Sequence, residues 1–388
     1  MTLALVHNTP RVWYKDIDAF LLTIAGFQRC ADEPNVYFKG GTPTPGVAQT
    51  LVILLLYVDN ILLFSPRGKA LEPVMKQLED KYEMSSMGDA SIFLGLQIER
   101  NREKYQLFLH QGRYIDSMMD QFGMANCTTY ATPMETTCKL DKLATLADKH
   151  LDEEDEVHKT LYKSMVGKLM YAMIGTRPDI VFAVSYLGRF ANSPTTSHLS
   201  AAKRVLGYLR GTRNYDLRFG SSIDSSIGSS IGHSIGYSDS DWAGDRDTRK
   251  STSGYIFTYA GGAISWKSCR QRVVACSSTE AEYYALDEAC KESLWLTRVG
   301  LYLGIDFKGI MVDNTGALQL ASNDPRHGRT KHMDVRYRHI RQCVEEKEVV
   351  LSQVSTSDNV ADILTKPLPR DSFERHARRM GLLKSMDE

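Results

Sequence analysis

Residues 235–242 read I-G-Y-S-D-S-D-W, an apolar entry that turns acidic within a few residues. That is the pattern of a central strand carrying a carboxylate to a sheet face, and Asp239 is the residue it would present. Working outward, residues 252–267, T-S-G-Y-I-F-T-Y-A-G-G-A-I-S-W-K, read as two β-rich runs joined by a Gly261-Gly262 turn, a hairpin signal. Ser277-Ser278-Thr279 then precedes E-A-E-Y-Y-A-L-D-E-A-C-K-E-S-L-W-L, hydroxyl caps ahead of strong helix formers, with Glu282 in the first turns. Next, G-I-M-V-D-N-T-G-A-L-Q-L is an apolar strand that ends in Asp313 and leads into a short helix. A last acid, Asp362, follows Asp358-Asn359-Val360-Ala361.

Any one of these acids alone reads as solvated surface, since acids are rarely buried. Together they point to metal chemistry, because two divalent ions about 3.5–4 Å apart need several bridging carboxylates to activate water and stabilise a leaving oxygen. Hard oxygen ligands suit magnesium. Two other readings of the acidic opening are weaker. D-S-D-W-A-G mimics the start of a calcium-binding loop, yet the fifth position is Ala243 and the twelfth is Lys250, where an acidic ligand belongs. Asp245 and Asp247 read as an ordinary acidic turn.

These residues resemble the ribonuclease H domain of copia-type LTR retrotransposon polyproteins. The resemblance rests on Y-S-D-S-D-W-A-G-D, S-T-S-G-Y, I-S-W-K, S-S-T-E-A-E-Y-Y-A-L, V-D-N, T-K-H-M-D-V-R-Y and A-D-I-L-T-K-P-L, in that order. It implies a ribonuclease H-like fold, a mixed five-strand sheet with flanking helices, and a nuclease for RNA paired with DNA. The implied catalytic and metal-binding acids are Asp239 (with Asp241 the runner-up), Glu282 (with Glu280 its competitor), Asp313 and Asp362. They would hold two Mg2+ ions, for which Mn2+ can substitute. The partner implied is an RNA–DNA hybrid, with other retroelement polyprotein products besides. Ser278 and Thr279 are placed to meet RNA 2′-hydroxyls. In the basic run 326–341, R-H-G-R-T-K-H-M-D-V-R-Y-R-H-I-R, Lys331, His332 and Arg336 are candidates for phosphate contact, although a basic helix face is often only solvated surface.

Upstream, residues 51–64, L-V-I-L-L-L-Y-V-D-N-I-L-L-F, are too short to span a bilayer and are broken by Asp59-Asn60. Two apolar strands about a D-N turn fit better. This resembles the palm hairpin of copia-type reverse transcriptases, whose turn normally presents two adjacent aspartates; here the second is Asn60. The likeness continues through P-R-V-W-Y-K at 10–15, F-L-G-L-Q-I at 93–98, L-H-Q-G-R-Y-I at 109–115, Y-K-S-M-V-G-K-L-M-Y-A at 162–172 and T-R-P-D-I-V-F-A-V-S at 176–185. With the upstream palm aspartate and the fingers missing and Asn60 in the turn, reverse transcription is expected to be lost. The alternatives are a catalytically inactive relic or nucleic-acid-binding module, and a polymerase subunit completed by another chain.

The 388 residues, 43% of them hydrophobic, suffice for two or three cored domains. Expected boundaries are a palm and thumb remnant at 1–135, a helical connection segment at 136–220, a Ser/Gly-rich linker at 221–236 (S-S-I-D-S-S-I-G-S-S-I-G-H-S-I-G), a nuclease domain at 237–370 and a helical tail at 371–388. Seven cysteines with no C-x-x-C pair indicate neither a zinc site nor a disulfide framework. The start has no basic n-region, so a cytoplasmic or nuclear protein without a membrane segment is expected. Net charge is zero, so any phosphate-binding surface must be local.

Overall fold

The computed structural model describes residues 10–40, 51–138, 140, 156–220, 234–322 and 334–385. The chain divides into two compact units, Met1–Leu94 with Trp295–Asp306, and Gly95–Leu294 with Phe307–Glu388. No helix among the described residues is long and apolar enough to cross a membrane.

In the first unit, α1 (Pro10–Thr23) is followed by β1 (Gln28–Arg29), β2 (Val36–Lys39), β3 (Val52–Tyr57) and β4 (Asn60–Phe64), then α2 (Glu72–Lys81) and β5 (Ile92–Phe93). The first four strands pair antiparallel in sequence order. Along β3, Val52, Leu54 and Leu56 point inward with the period of two that a strand imposes, and meet Trp13, Ile17, Leu21 and Leu78 from the two helices. The apolar run is thus a hairpin, but its turn lies one residue earlier than the D-N reading. Tyr57 pairs with Asn60, so Val58 and Asp59 form the turn and Asn60 opens β4. Val58 adopts a left-handed φ of 52°, costly for a β-branched residue, and its carbonyl accepts the Trp13 indole N–H at 2.7 Å.

The second unit contains β6 (Leu96–Asn101), β7 (Gln106–His110), α3 (Gly112–Gln121), α4 (Glu156–Gly175), α5 (Val181–Gly188), α6 (Thr196–Gly211), β8 (Tyr215–Gly220), β9 (Ser234–Ser240), β10 (Thr252–Tyr259), β11 (Gly262–Arg270) and α7 (Ser278–Leu301), whose last turns are counted with the first unit. It continues with β12 (Gly309–Val312), α8 (Thr315–Ser322), α9 (Asp334–Glu345), β13 (Val350–Gln353), a tight 3-10 turn (Val360–Leu364), α10 (Arg370–Arg379) and β14 (Leu382–Lys384). The expected mixed five-strand sheet is present in the order β11-β10-β9-β12-β13. Its first three strands are antiparallel, and β9, β12 and β13 are parallel to one another. This places the C-terminal ends of β9 and β12, the two central strands, side by side.

Composition misplaces two features here. Ser234–Gly236, the end of the supposed linker, are the first residues of β9, and Ser234 pairs with Tyr259. Gly236 is needed there because a Cβ would stand 2.5 Å from the Phe257 ring. The β10–β11 turn is Ala260-Gly261, not Gly261-Gly262. Gly262 belongs to β11, where a side chain would strike the Arg218 carbonyl and the Phe219 ring. The linker residues 221–233 lie outside the described residues.

One buried cluster joins the helices of this unit to its mixed sheet and C-terminal segment. Ile115, Leu169, Val184 and Leu206 from α3–α6 share a buried cluster with Tyr237 and Ile256 of the mixed sheet, Leu364 of the 3-10 turn, and Phe373 and Leu382 of the C-terminal segment. Within the segment expected as a helical tail, residues 371–385 carry most of α10, which joins that core, and β14, which pairs with β8, Leu382 opposite Leu217.

Candidate metal centre

Four acids arrive from four different elements. Asp239 is the penultimate residue of β9 and is 2% exposed. Asp313 follows the last residue of β12 and is half-buried. Asp362 sits in the 3-10 turn, buried, and Glu282 faces inward from the start of α7, also buried. Carboxylate oxygens of Asp239, Asp313 and Asp362 all lie within 4.8 Å of one another. Glu282 Oε2 is buried with no hydrogen-bond partner among the described residues.

The competing acids are committed elsewhere. Glu280 accepts the Cys276 backbone N–H at 2.8 Å and the Tyr284 hydroxyl at 2.9 Å, while its own N–H donates to Ser277 Oγ. It is part of the N-terminal cap of α7. The Asp241 side chain accepts the Thr252 backbone N–H. Asp245 is a structural anchor, paired with Arg189 at 3.2 Å and Arg270 at 2.9 Å.

Three supporting residues escape a reading of the sequence alone. Asn359, fully buried, donates to the Ser238 carbonyl at 2.9 Å and accepts from the Ala361 N–H, tying the 3-10 turn to β9. Thr365 donates its hydroxyl to Asp239 Oδ2. The Lys366 ammonium lies 2.9 Å from Asp362 Oδ1 and 3.7 Å from Asp239 Oδ2. All three fall within residues 358–366, D-N-V-A-D-I-L-T-K, where an Asn immediately before a helical turn is a visible capping signal.

The electrostatics follow from packing these acids into a poorly hydrated site. Burial first, then Asp239 and Asp313, pushes the Glu282 carboxyl up to about 10. Burial and then Asp239 pushes Asp362 up to about 7, against the opposing pull of Lys366. Asp313 is raised by burial and by Asp239. A carboxyl with a raised folded-state pKa adds stability below its unfolded value, near 4, and loses it as pH rises through the folded value. Metal-free protein should therefore lose thermal stability as pH climbs from about 4 through about 7, the Asp362 window. Divalent ions relieve the same repulsion, so the rise in melting temperature on adding Mg2+ should be larger at about pH 8 than at about pH 6. Equal shifts at the two pH values, measured by differential scanning fluorimetry, would contradict this account of the cluster.

Among the described residues of this unit, the remaining sequence candidates are Ser278, Thr279 and Arg336. Ser278 is exposed and Thr279 half-buried at the start of α7, one turn before Glu282. Arg336 pairs with Asp287 at 3.6 Å and stacks over the Tyr284 ring, leaving about a third of its side chain exposed. Lys331 and His332 lie outside the described residues. Asp59 and Asn60 belong to the first unit.

Comparison with known proteins places the chain. Residues 2–136 match the family described as reverse transcriptase (RNA-dependent DNA polymerase). The chain is 40% identical over 379 residues to the retrovirus-related Pol polyprotein from transposon TNT 1-94 of Nicotiana tabacum, covering 97% of this chain and 27% of that protein. It is 34% identical to the corresponding polyprotein from transposon RE1 of Arabidopsis thaliana, covering 97% of this chain and 24% of the relative. It is also 31% identical to the putative transposon Ty5-1 protein YCL074W of Saccharomyces cerevisiae, across 74% of this chain and 86% of the relative. The chain belongs to the copia-type retrotransposon Pol family. It spans about a quarter of the length of the TNT 1-94 and RE1 polyproteins. Among solved structures, LC11-RNase H1 isolated from compost is similar at 16% identity with a TM-score of 0.28, covering 37% of this chain and 98% of that one. The same enzyme in complex with an RNA/DNA hybrid is similar at 19% identity with a TM-score of 0.27, covering 34% of this chain and 94% of that one.

Proposed function

We propose that the second unit of this copia-type Pol chain hydrolyses the RNA strand of RNA–DNA hybrids, with two divalent ions held by Asp239, Glu282, Asp313 and Asp362. The observation that carries the reading is the convergence of three separately positioned carboxylates within 4.8 Å, beside a buried Glu282 that feels the charges of Asp239 and Asp313 and whose Oε2 has no hydrogen-bond partner among the described residues. So many buried acids cannot all ionise without cations, and an all-oxygen donor set suits magnesium, or manganese in its place. When bound, such ions supply an activated water and stabilise the leaving 3′ oxygen.

The chain's own residues hold that geometry. Asp239 is fixed by the central strand and by Thr365; Asn359 locks the turn carrying Asp362 against β9. Ser278 and Thr279 are assigned to the RNA 2′-hydroxyls, and Lys331, His332 and Arg336 to phosphates, where contacts add affinity without sequence preference. The Val58-Asp59 hairpin is assigned no polymerase role, since the Asn60 amide brings no charge to balance a metal ion.

Purified chain should cleave the RNA strand of a labelled hybrid in Mg2+ or Mn2+, leave duplex DNA intact, show little sequence preference and extend no primer. Hybrid cleavage no greater than that of an Asp313→Asn control in either metal would sink the nuclease reading. Primer extension would return a polymerase role to the hairpin.

A further inference from the structure

Lys366 stands in an unusual position for a lysine. Its ammonium is 2.9 Å from Asp362 Oδ1 and 3.7 Å from Asp239 Oδ2, carboxylates whose side chains are 10% and 2% exposed. Its backbone N–H donates to the Asp362 carbonyl, which holds the base of the side chain beside the 3-10 turn. Thr365, next to it, separately supplies a hydroxyl to Asp239 Oδ2. The ammonium is therefore the cation that faces both acids, while the hydroxyl preserves the orientation of Asp239 whether or not the ammonium is there.

A divalent ion bridging those two acids would lie about 2.0–2.1 Å from their oxygens. An ammonium within hydrogen-bond distance of the same oxygen cannot share that place, because two cations so close repel strongly in a site shielded from water. Lysine is a point charge on a flexible four-carbon stem, and 38% of the Lys366 side chain is exposed, which gives it a route out. We propose that Lys366 is a tethered counter-cation that occupies the divalent-ion position between Asp239 and Asp362 in the metal-free protein and competes with the ion for it. This rests on the reading of the acids as a divalent-ion site. It makes Lys366 a positioning residue that keeps the acids folded together before metal arrives and sets how tightly metal is held.

The test is Mn2+ binding to the full chain, followed by the loss of the free-ion electron paramagnetic resonance signal, for wild type, Lys366→Met, Lys366→Arg and Asp313→Asn. Lys366→Met should bind Mn2+ tighter by about tenfold or more, the order expected when one unit charge is removed a few ångströms from a divalent ion. Its melting temperature in EDTA should fall, because the acids lose their only close ammonium among the described residues. Lys366→Arg, which keeps the charge, should stay within about twofold of wild type. Lys366→Met binding Mn2+ no tighter than wild type would overturn the proposal, even with the loss of stability. Wild type and Asp313→Asn binding Mn2+ alike would instead defeat the metal-site reading beneath it. Should Lys366→Met fail to fold, the wild-type chain still decides. With lysine Cε and Nζ labelled and Lys366 assigned through Lys366→Arg, its resonance should move to that of a solvent-exposed lysine at Mg2+ saturation. A resonance unmoved at saturation overturns the displacement.

Discussion

Asp313→Asn is expected to lower hydrolysis of the RNA strand by about 10³-fold or more, since losing one bridging carboxylate removes several kcal/mol of charge stabilisation at about 1.4 kcal/mol per decade of rate. The fold should be indifferent to the change. Burial and Asp239 raise the Asp313 carboxyl, so its ionised form costs stability in the metal-free protein, and a neutral amide of the same shape removes that cost. The melting temperature in EDTA should therefore be unchanged or higher, while the Mg2+-induced rise should shrink. A second comparison separates the two glutamates on α7. Glu282→Gln should lose activity on the same scale because the buried Glu282 carboxyl lies close enough to Asp239 and Asp313 to be raised by their charges. Glu280→Gln should retain most activity and lose about 1 kcal/mol of stability through the weakened cap. A near-wild-type rate for Asp313→Asn removes Asp313 from the chemistry, and the reverse ranking of the glutamates reassigns the acid on α7.

Four of the five strands of the mixed sheet were legible because each carries a local pattern, apolar runs into Asp239 and Asp313 and a β-rich pair about glycines. So was the helix of Glu282 behind its hydroxyl cap, whereas β13 carried no signal that was read. What escaped were features set by distant partners. Gly236 and Gly262 look like linker and turn glycines, yet each is small because another element presses on its backbone. Asn359, Thr365 and Lys366 are ordinary polar residues until the chain returns them to β9, more than 115 residues away in sequence, so spacing alone gives them no role. The same holds for the division of the chain. Composition separates 136–220 from 237–370, but α3–α6 and the mixed sheet bury their apolar faces against each other in one cluster. The second unit is therefore expected to unfold as one cooperative body.

That cooperativity gives the second large effect, at Arg177. Within T-R-P-D at 176–179, its guanidinium is 1% exposed and donates to Asp179 from Nε at 3.0 Å and Nη2 at 2.7 Å. It also donates to the Thr212 carbonyl at 3.1 Å and to Thr212 Oγ1 at 2.6 Å, while the Tyr208 hydroxyl donates to Asp179. The network pins the start of α5 to the end of α6 inside the shared core. Removing one partner of such a pair strands a buried charge, which costs about 3–5 kcal/mol, whereas removing both and refilling with apolar side chains is often close to neutral. Arg177→Met should thus destabilise the second unit by about 3–5 kcal/mol in urea and unfold the sheet carrying the acids along with the helices. The double variant Arg177→Met with Asp179→Leu should recover much of that loss, less what the Tyr208 and Thr212 groups left without partners cost. If the single variant stays within about 1 kcal/mol of wild type, the pair is not the anchor described. If the helices melt at lower urea than the mixed sheet, the two do not share one cooperative core.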